Sequence, residues 1–169
     1  MFSRLVPLLF AALLTLSACG DGGPDEGTQA AGIAVADAWV KATDADMSAA
    51  FMVLSNSAEK DATVVGVTTD LTDSAELHET KDDMMRPVDS FTIPSMDSLM
   101  LEPGGDHVML MDLADPIEPG QEITFTLEFD DGSTFDVTAT AKDFAGGDED
   151  YEGGKGHEDH EDHEDHEGH

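Results

Sequence analysis

The fold of this chain is decided by residues 78–113, which read HETKDDMMRPVDSFTIPSMDSLMLEPGGDHVMLMDL. Near the end of this stretch, the run HVMLM begins at His107 and has the composition of a short β-strand. Because successive side chains of a strand point to opposite faces, His107 and Met109 are predicted to share one face. Val108 and Leu110 then share the other face, where an apolar pair suits a core. The pattern therefore places an imidazole beside a thioether on the face turned away from the core.

A second pair of the same kind is predicted upstream, in a β-hairpin whose tight turn is centred on residues 82–83. In that register Thr80 lies opposite Met85, and directly opposed residues of a hairpin point to the same side. His78 is two residues from Thr80 and joins that side. His78 and Met85 are then diagonal neighbours on one face of the hairpin.

Two pairs of soft donors follow from this pattern, and soft ligands select Cu(I) over hard cations. A lone methionine in a strand is more often a flexible core residue, and a lone histidine is more often a hydrogen-bonded surface group. The combination favours a metal site, whose candidate ligands are His78, Met85, His107 and Met109. A blue-copper electron-transfer centre is not expected, because it needs a cysteine thiolate. The other methionines assigned to core or loop are Met52, Met96, Met100 and Met111.

The stretch resembles the PCu(A)C family of periplasmic copper chaperones. That family has a His, then a Met, then twenty-one residues and His-x-Met, and here residues 86–106 separate Met85 from His107. The similarity extends over roughly residues 33–141. Further segments that resemble the family are Leu77-His-Glu79, Met85-Arg-Pro-Val88, Ile93-Pro94, Leu101 to Leu113, Ala38-Trp-Val-Lys-Ala42 and Ser48-Ala-Ala-Phe-Met52.

The resemblance implies a cupredoxin-like or Ig-like Greek-key fold and delivery of copper toward the copper centres of cytochrome c oxidase, often alongside Sco-type proteins. This chain departs from the family pattern in two ways. The segment between His78 and Met85 is shorter than usual, and the methionine often found just after the first histidine is replaced by Glu79 and Thr80.

Short strand-like runs recur along residues 33–144, and clusters of Gly, Pro, Asn and Asp separate them. Alternation is clearest in Ile123 to Phe129, after which residues 130–133 predict a hairpin turn. Many short strands without a helical period indicate an all-β sandwich or barrel. The predicted strands are 33–42, 49–55, 62–69, 75–80, 84–88, 98–102, 107–112, 121–129 and 133–140.

The N-terminus has the pattern of a secretory signal over residues 1–18, with a short basic n-region and an apolar run too short to span a membrane. Leu16-Ser-Ala-Cys19 resembles a bacterial lipobox, so Cys19 is the predicted lipidation site, although an ordinary signal followed by a stray cysteine is the alternative. A lipid on one residue would hold the protein to a membrane surface without spanning it. Residues 19–32 are predicted to be a flexible tether.

Acidic residues dominate the chain, whose formal net charge is −31. Residues 33–144 hold 24 acidic and 5 basic residues, and the tail from residue 145 adds 11 acidic residues against one lysine. Nucleic acid and anionic lipid headgroups are therefore not expected as partners. The acidic surface is explained equally well by a salty habitat or by attraction of a cationic metal or a basic partner.

The C-terminal tail, residues 145–169, has almost no apolar residues and is predicted to be disordered. Histidines recur there every third residue among Glu and Asp, a pattern typical of metal-binding tracts that suit Cu(II) or Zn(II). The alternative is a solvated acidic tail with incidental histidines. The candidate tail ligands are His157, His160, His163, His166 and His169.

These observations together predict a lipid-anchored Cu(I) chaperone in the cell envelope, facing the periplasm or another extracytoplasmic space. Its expected partners are copper-accepting proteins such as an oxidase subunit or a Sco-type chaperone, with membrane contact through the anchor only. One alternative is a periplasmic metal buffer or resistance lipoprotein that uses its tail, and another is a β-sandwich interaction module without metal. No Ser-His-Asp arrangement, P-loop or HExxH motif is present in the sequence, and an enzymatic role is not expected.

Overall fold

The computed structural model describes residues 27–82 and 84–145 and the backbone of residues 150–151. These residues form strands joined by turns and loops, and their helical structure is limited to one 3-10 turn at Ala30–Gly32. The prediction of an all-β fold is confirmed. The strands are β1 Ile33–Lys41, β2 Ser48–Asn56, β3 Ala62–Thr69, β4 Ser74–Lys81, β5 Met84–Pro87, β6 Phe91–Ile93, β7 Ser98–Leu101, β8 His107–Met111, β9 Glu122–Phe129, β10 Thr134–Lys142 and β11 Asp150–Tyr151.

The strands pair in the order β11-β5-β4-β8-β2-β1-β10-β9-β3-β6, and β7 joins β2 beside this path. The pairs β1–β10 and β11–β5 are parallel, whereas the remaining pairs are antiparallel. Strands β3 and β4 are distant in this order yet contact each other. The sheet therefore folds over itself into the two layers of a β-sandwich, around one shared core.

The core fills the space between these layers. Strand β9 alternates as the sequence predicts, with Phe125, Leu127 and Phe129 buried between exposed or half-buried neighbours. On the opposite half of the sheet, Val108 and Leu110 of β8 belong to the same core cluster. The apolar parity of β8 therefore fixes its outer face as the face of His107 and Met109.

A bulge in β1 changes which of its side chains lie on the outer face of the sheet. The register between β1 and β2 shifts between Ala36 and Trp39, and Asp37 takes a positive φ of 52°. In a regular strand, residues seven positions apart point to opposite faces. The extra residue of the bulge reverses this alternation, so Ile33 and Val40 are both buried. The bulge thereby brings Trp39 to the outer face, opposite Phe51 of β2.

The structure adds ordered elements that the strand pattern did not predict. Within the stretch read as a tether, Ala30 is fully buried and the side-chain oxygen of Gln29 accepts a hydrogen bond of 2.7 Å from the backbone of Thr63. The short strand β6 lies between turn residues, and its three residues are too few to show an alternating pattern. Strand β11 lies inside the stretch predicted to be disordered and pairs with β5. In the described residues, no helix is long and apolar enough to cross a membrane.

Candidate metal centre

The two histidines of the domain lie side by side on adjacent strands. Strands β4 and β8 are antiparallel neighbours, and His78 is directly opposite His107 in their ladder. The ring centroids are 5.7 Å apart. Both side chains are buried, with exposed fractions of 0% and 2%. Two imidazoles so far apart in the sequence are brought together because the apolar parity of each strand turns them to the same face.

Both methionines of the candidate set lie on that face. Met109 follows His107 by two residues on β8, and Met85 pairs with Thr80 across the β4–β5 hairpin, as the sequence predicts. Lys81 pairs with Met84, so the register of the hairpin is the predicted one. Met85 and Met109 are 8% and 4% exposed. The four predicted side chains therefore share one buried face of three consecutive strands, β5, β4 and β8.

A small cavity of about 20 Å³ opens on this face. Its lining includes Met85 and His107, whereas His78 and Met109 do not line it. Thr80 also lines it, and its hydroxyl oxygen is buried without a hydrogen-bond partner among the described residues. A buried polar atom of this kind marks a place where a ligand or water completes the bonding.

Two hydrogen bonds orient the imidazoles. Nε2 of His78 lies 3.0 Å from Oε2 of Glu76, and Nδ1 of His107 lies 2.9 Å from the carbonyl oxygen of Gly105. The same carbonyl accepts a bond of 3.1 Å from the backbone N–H of Thr80. The loop that supplies it turns at Gly104, whose φ of 80° favours glycine. The loop between β7 and β8 thus holds one histidine and ties it to β4.

Charged groups lie on the opposite face of the β4–β5 hairpin and in the loop before β8. Nε of Arg86 donates to Oε1 of Glu79 at 2.8 Å. Burial of Asp106 raises the pKa of its carboxyl, and the nearby charge of Glu79 adds to this rise, while His107 opposes it. The Asp106 carboxyl therefore lies close to His107, although no carboxylate belongs to the candidate donor set.

Aromatic rings flank the histidine side of the site. The Phe51 ring centroid is 6.2 Å from that of His107, and the Trp39 ring is 4.6 Å from Phe51. Phe144 extends the cluster at 5.2 Å from Trp39. These rings place an apolar surface beside His107 on the side of β1 and β2. Sequence reasoning placed Thr80 on the face of His78 but missed Phe51 and Glu76, although the strand parity that selected His78 also places Glu76 on that face.

The four methionines that the sequence assigned to core or loop do not line the cavity. Met52 is buried in the core, and Met96 lies exposed in a loop, as predicted. Met100 instead lies exposed on β7, and Met111 is half-buried at the end of β8, so the assignment of these two to core or loop was wrong. Cys19 and the five tail histidines lie outside the described residues.

The donor chemistry fits a soft, monovalent metal better than a hard one. Among the described residues no group of three His, Cys, Asp or Glu side chains could hold an ion. Two imidazoles that share one ion through nitrogens about 2.0 Å from it have centroids roughly 5–6 Å apart. The observed separation of 5.7 Å is in that range. An ion held by the two imidazoles would need further donors, and the two thioethers on the same face are soft donors.

Comparison with known proteins identifies relatives over the whole domain. The LpqE-like family model matches residues 33–141. The protein named "Putative lipoprotein Lxx21020" from Leifsonia xyli subsp. xyli (strain CTCB07) is 43% identical over 152 residues, which cover 85% of this chain and 92% of that protein.

Solved structures show a similar fold. The solution structure of CuI-DR1885 from Deinococcus radiodurans is 34% identical, with a TM-score of 0.55, over 67% of this chain and 81% of that chain. The apo form of DR1885 is 32% identical, with a TM-score of 0.57, over 85% of this chain and 97% of that chain. The copper-bound PCuAC domain from PmoF2 is 22% identical with a TM-score of 0.59, over 67% of this chain and 94% of that chain, and supports the fold alone.

Proposed function

Because the chain belongs to the LpqE-like family and has the fold of PCuAC domains, we propose that it is a copper chaperone that carries one Cu(I). The observation that supports this best is the pairing of two buried His/Met sets on one face of β5, β4 and β8. The proposed ligands are one nitrogen each from His78 and His107 and one sulfur each from Met85 and Met109. The Cu(I) form of DR1885, at 34% identity, supports the choice of metal.

The donor set suits a carrier rather than a store. Thioether sulfurs carry no charge, so they do not hold Cu(I) as strongly as thiolates, and the ion can pass to a protein with stronger ligands. Met85 and His107 line the cavity that opens on this face. An acceptor could therefore approach from this side and exchange ligands with the pair that lines the cavity.

The proposed place of action is the outer side of a cell membrane. The family and the relative at 43% identity both carry the name "Putative lipoprotein", which supports Cys19 as the lipidated residue. A lipid anchor confines the protein to the surface where membrane-bound acceptors lie. The proposed acceptors are copper-binding oxidase subunits or Sco-type chaperones.

Transfer of the metal tests the carrier function directly. The protein loaded with one Cu(I) is mixed under anaerobic conditions with an apo oxidase copper domain or an apo Sco-type protein, and the metal content of each is measured after separation. We expect copper to leave this chain and appear in an acceptor. Retention of copper against both acceptors would favour the alternative function of a metal buffer.

A second metal function is proposed for the tail. The pairing of β11 with β5 sets Tyr151 opposite Met85, so the tail departs from the edge of the candidate site. The first tail histidine, His157, is six residues beyond Tyr151, a span of at most about 20 Å. Histidines on such a short connection would raise the local concentration of copper near the domain site. Binding there is expected to be weaker, multiple and tolerant of ion type.

A further inference from the structure

Glu76 holds the more deeply buried of the two histidines. Its carboxylate is on the same strand and the same face as His78, two residues earlier. Oε2 of Glu76 lies 3.0 Å from Nε2 of His78, whose side chain is fully buried, whereas Glu76 itself is 45% exposed. Across the ladder Glu76 pairs with Met109. The carboxylate therefore lies at the border between solvent and the candidate donor set.

This contact decides which nitrogen of His78 can bind a metal. An ionised carboxylate only accepts hydrogen bonds, so Nε2 of a neutral His78 is the protonated nitrogen and donates to Glu76. A metal ligand must be the other nitrogen, because a protonated ring nitrogen has no lone pair to offer. Histidine ligands regularly donate their second ring N–H to a carboxylate or carbonyl, which fixes both tautomer and ring orientation.

The second histidine has the reverse arrangement. The carbonyl oxygen of Gly105 can only accept, so Nδ1 of His107 is its donor at 2.9 Å. We infer that Glu76 is a positioning residue that directs Nδ1 of His78 toward Cu(I), while the Gly105 carbonyl directs Nε2 of His107 toward the same ion. This inference rests on the proposed Cu(I) function and adds a residue and an atomic assignment to it.

The same strand provides a matched control. Glu79 is three residues after Glu76 and points to the opposite face, where it accepts from Arg86 at 2.8 Å. Replacing either glutamate with alanine removes one carboxylate from β4 and changes the net charge equally. A general electrostatic effect would therefore act in both variants, whereas an effect on His78 orientation requires the loss of Glu76.

The test begins with the tautomers of the wild-type chain. The full-length protein is labelled with ¹⁵N-histidine, and long-range ¹H–¹⁵N correlation spectra identify the protonated nitrogen of each ring before and after addition of Cu(I). We expect apo His78 to be protonated at Nε2 and apo His107 at Nδ1. On loading, the shift change should fall on Nδ1 of His78 and on Nε2 of His107.

Variants then test the positioning role through Cu(I) affinity, measured by anaerobic competition with a chelator. Glu76→Ala should weaken binding by about 10–100-fold, as is usual for loss of a residue that supports a metal ligand. Glu76→Gln should recover most of this loss, because its amide oxygen can still accept from Nε2. Glu79→Ala should bind as the wild type does. Equal affinities for Glu76→Ala and the wild type would overturn the inference.

The tautomer spectrum keeps the inference testable if Glu76→Ala does not fold. Protonation of wild-type His78 at Nδ1, or binding of Cu(I) through its Nε2, would overturn the inference while the carrier function stands. Failure of the wild type to bind Cu(I) at all would overturn the carrier function together with this inference.

Discussion

At the scale of single residues, the candidate site depends on side-chain parity in three short strands. Met109 is buried on the outer face of β8, where it pairs with Glu76 of the neighbouring strand β4. Its sulfur is one of only two soft sulfur donors proposed for the ion. Loss of this atom should therefore affect metal binding far more than it affects the fold.

Loss of a residue that only supports a metal ligand typically weakens metal binding by about 10–100-fold. Met109→Leu removes a proposed ligand itself, so we expect a larger loss of Cu(I) affinity. The change nearly conserves side-chain volume and should cost less than about 1.5 kcal/mol of unfolding free energy. Met109→Ala should also lose Cu(I) but cost about 2–5 kcal/mol, because it leaves a cavity. Affinity is measured by anaerobic competition and stability by denaturant unfolding.

The control for this substitution is Met52→Leu, which changes a buried methionine of the core. It should leave Cu(I) affinity unchanged. If Met109→Leu binds Cu(I) as tightly as Met52→Leu does, the thioether of Met109 is not a ligand and the assignment of the site is wrong.

At the scale of elements, the β9–β10 turn fastens the N-terminal segment. Asp131 Oδ2 accepts from the backbone N–H of Gln29 at 2.7 Å, and its Oδ1 accepts from the hydroxyl of Ser133 at 2.5 Å. The hydroxyl of Ser133 in turn accepts from the backbone of Ala30 at 3.1 Å. The bond from Ser133 and then that from Gln29 lower the pKa of the Asp131 carboxyl.

Asp131→Ala should loosen this segment, with hydrogen exchange of the Gln29 and Ala30 amides faster by about fivefold, since one net hydrogen bond is worth about 1 kcal/mol. A fall in pH should also speed hydrogen exchange of the Gln29 and Ala30 amides in the wild type. The carboxyl pKa is lower in the folded state, so its stabilisation is present above the unfolded value of about 3.9 and is lost as the pH falls through the folded value.

Asp136→Ala is the control, because Asp136 accepts from Thr126 at 2.7 Å across the same hairpin without touching the segment. Exchange at Gln29 and Ala30 should be unchanged in that variant. Equal exchange rates in Asp131→Ala and the wild type would show that burial of Ala30, and not the turn, holds the segment.

The elements also show what the sequence could predict. Alternation of side chains between the two faces of β8 and of β9 was sufficient to predict these strands and the faces that they turn to the core. The short turn predicted after Lys81 was sufficient to predict the register of β4 and β5. Packing of Ala30, pairing of β11 and the Phe51 ring beside His107 could not be predicted in this way. Each of these depends on contacts between distant parts of the chain, which local alternation does not encode.

At the scale of the whole molecule, the chain has a formal net charge of −31, whereas the proposed imidazole and thioether donors add no negative charge. Long-range attraction brings cations toward an acidic surface and is weakened by salt. In the proposed function the sulfurs of Met85 and Met109 would select the cation that the domain retains, and the carboxylates and imidazoles of the tail are expected to take up Cu(II) or Zn(II).

Deletion of residues 145–169 is expected to remove the additional Cu(II) or Zn(II) equivalents and to leave one Cu(I) equivalent in place. Metal stoichiometry is measured for the full-length and shortened proteins by equilibrium dialysis at low and high salt. The tail equivalents should weaken as salt rises, because carboxylates contribute to their capture. If the deletion abolishes Cu(I) binding, the tail is the primary site and the domain is not the carrier.

The central claim is that one Cu(I) is held by two sulfurs and two nitrogens on one face of the domain. It is tested most directly by anaerobic Cu(I) titration of the protein shortened after residue 144, followed by X-ray absorption at the copper edge. We expect saturation at one equivalent and a first coordination shell of two sulfur and two nitrogen neighbours. A shell of nitrogen and oxygen alone, or no Cu(I) bound by the shortened protein, would contradict the account.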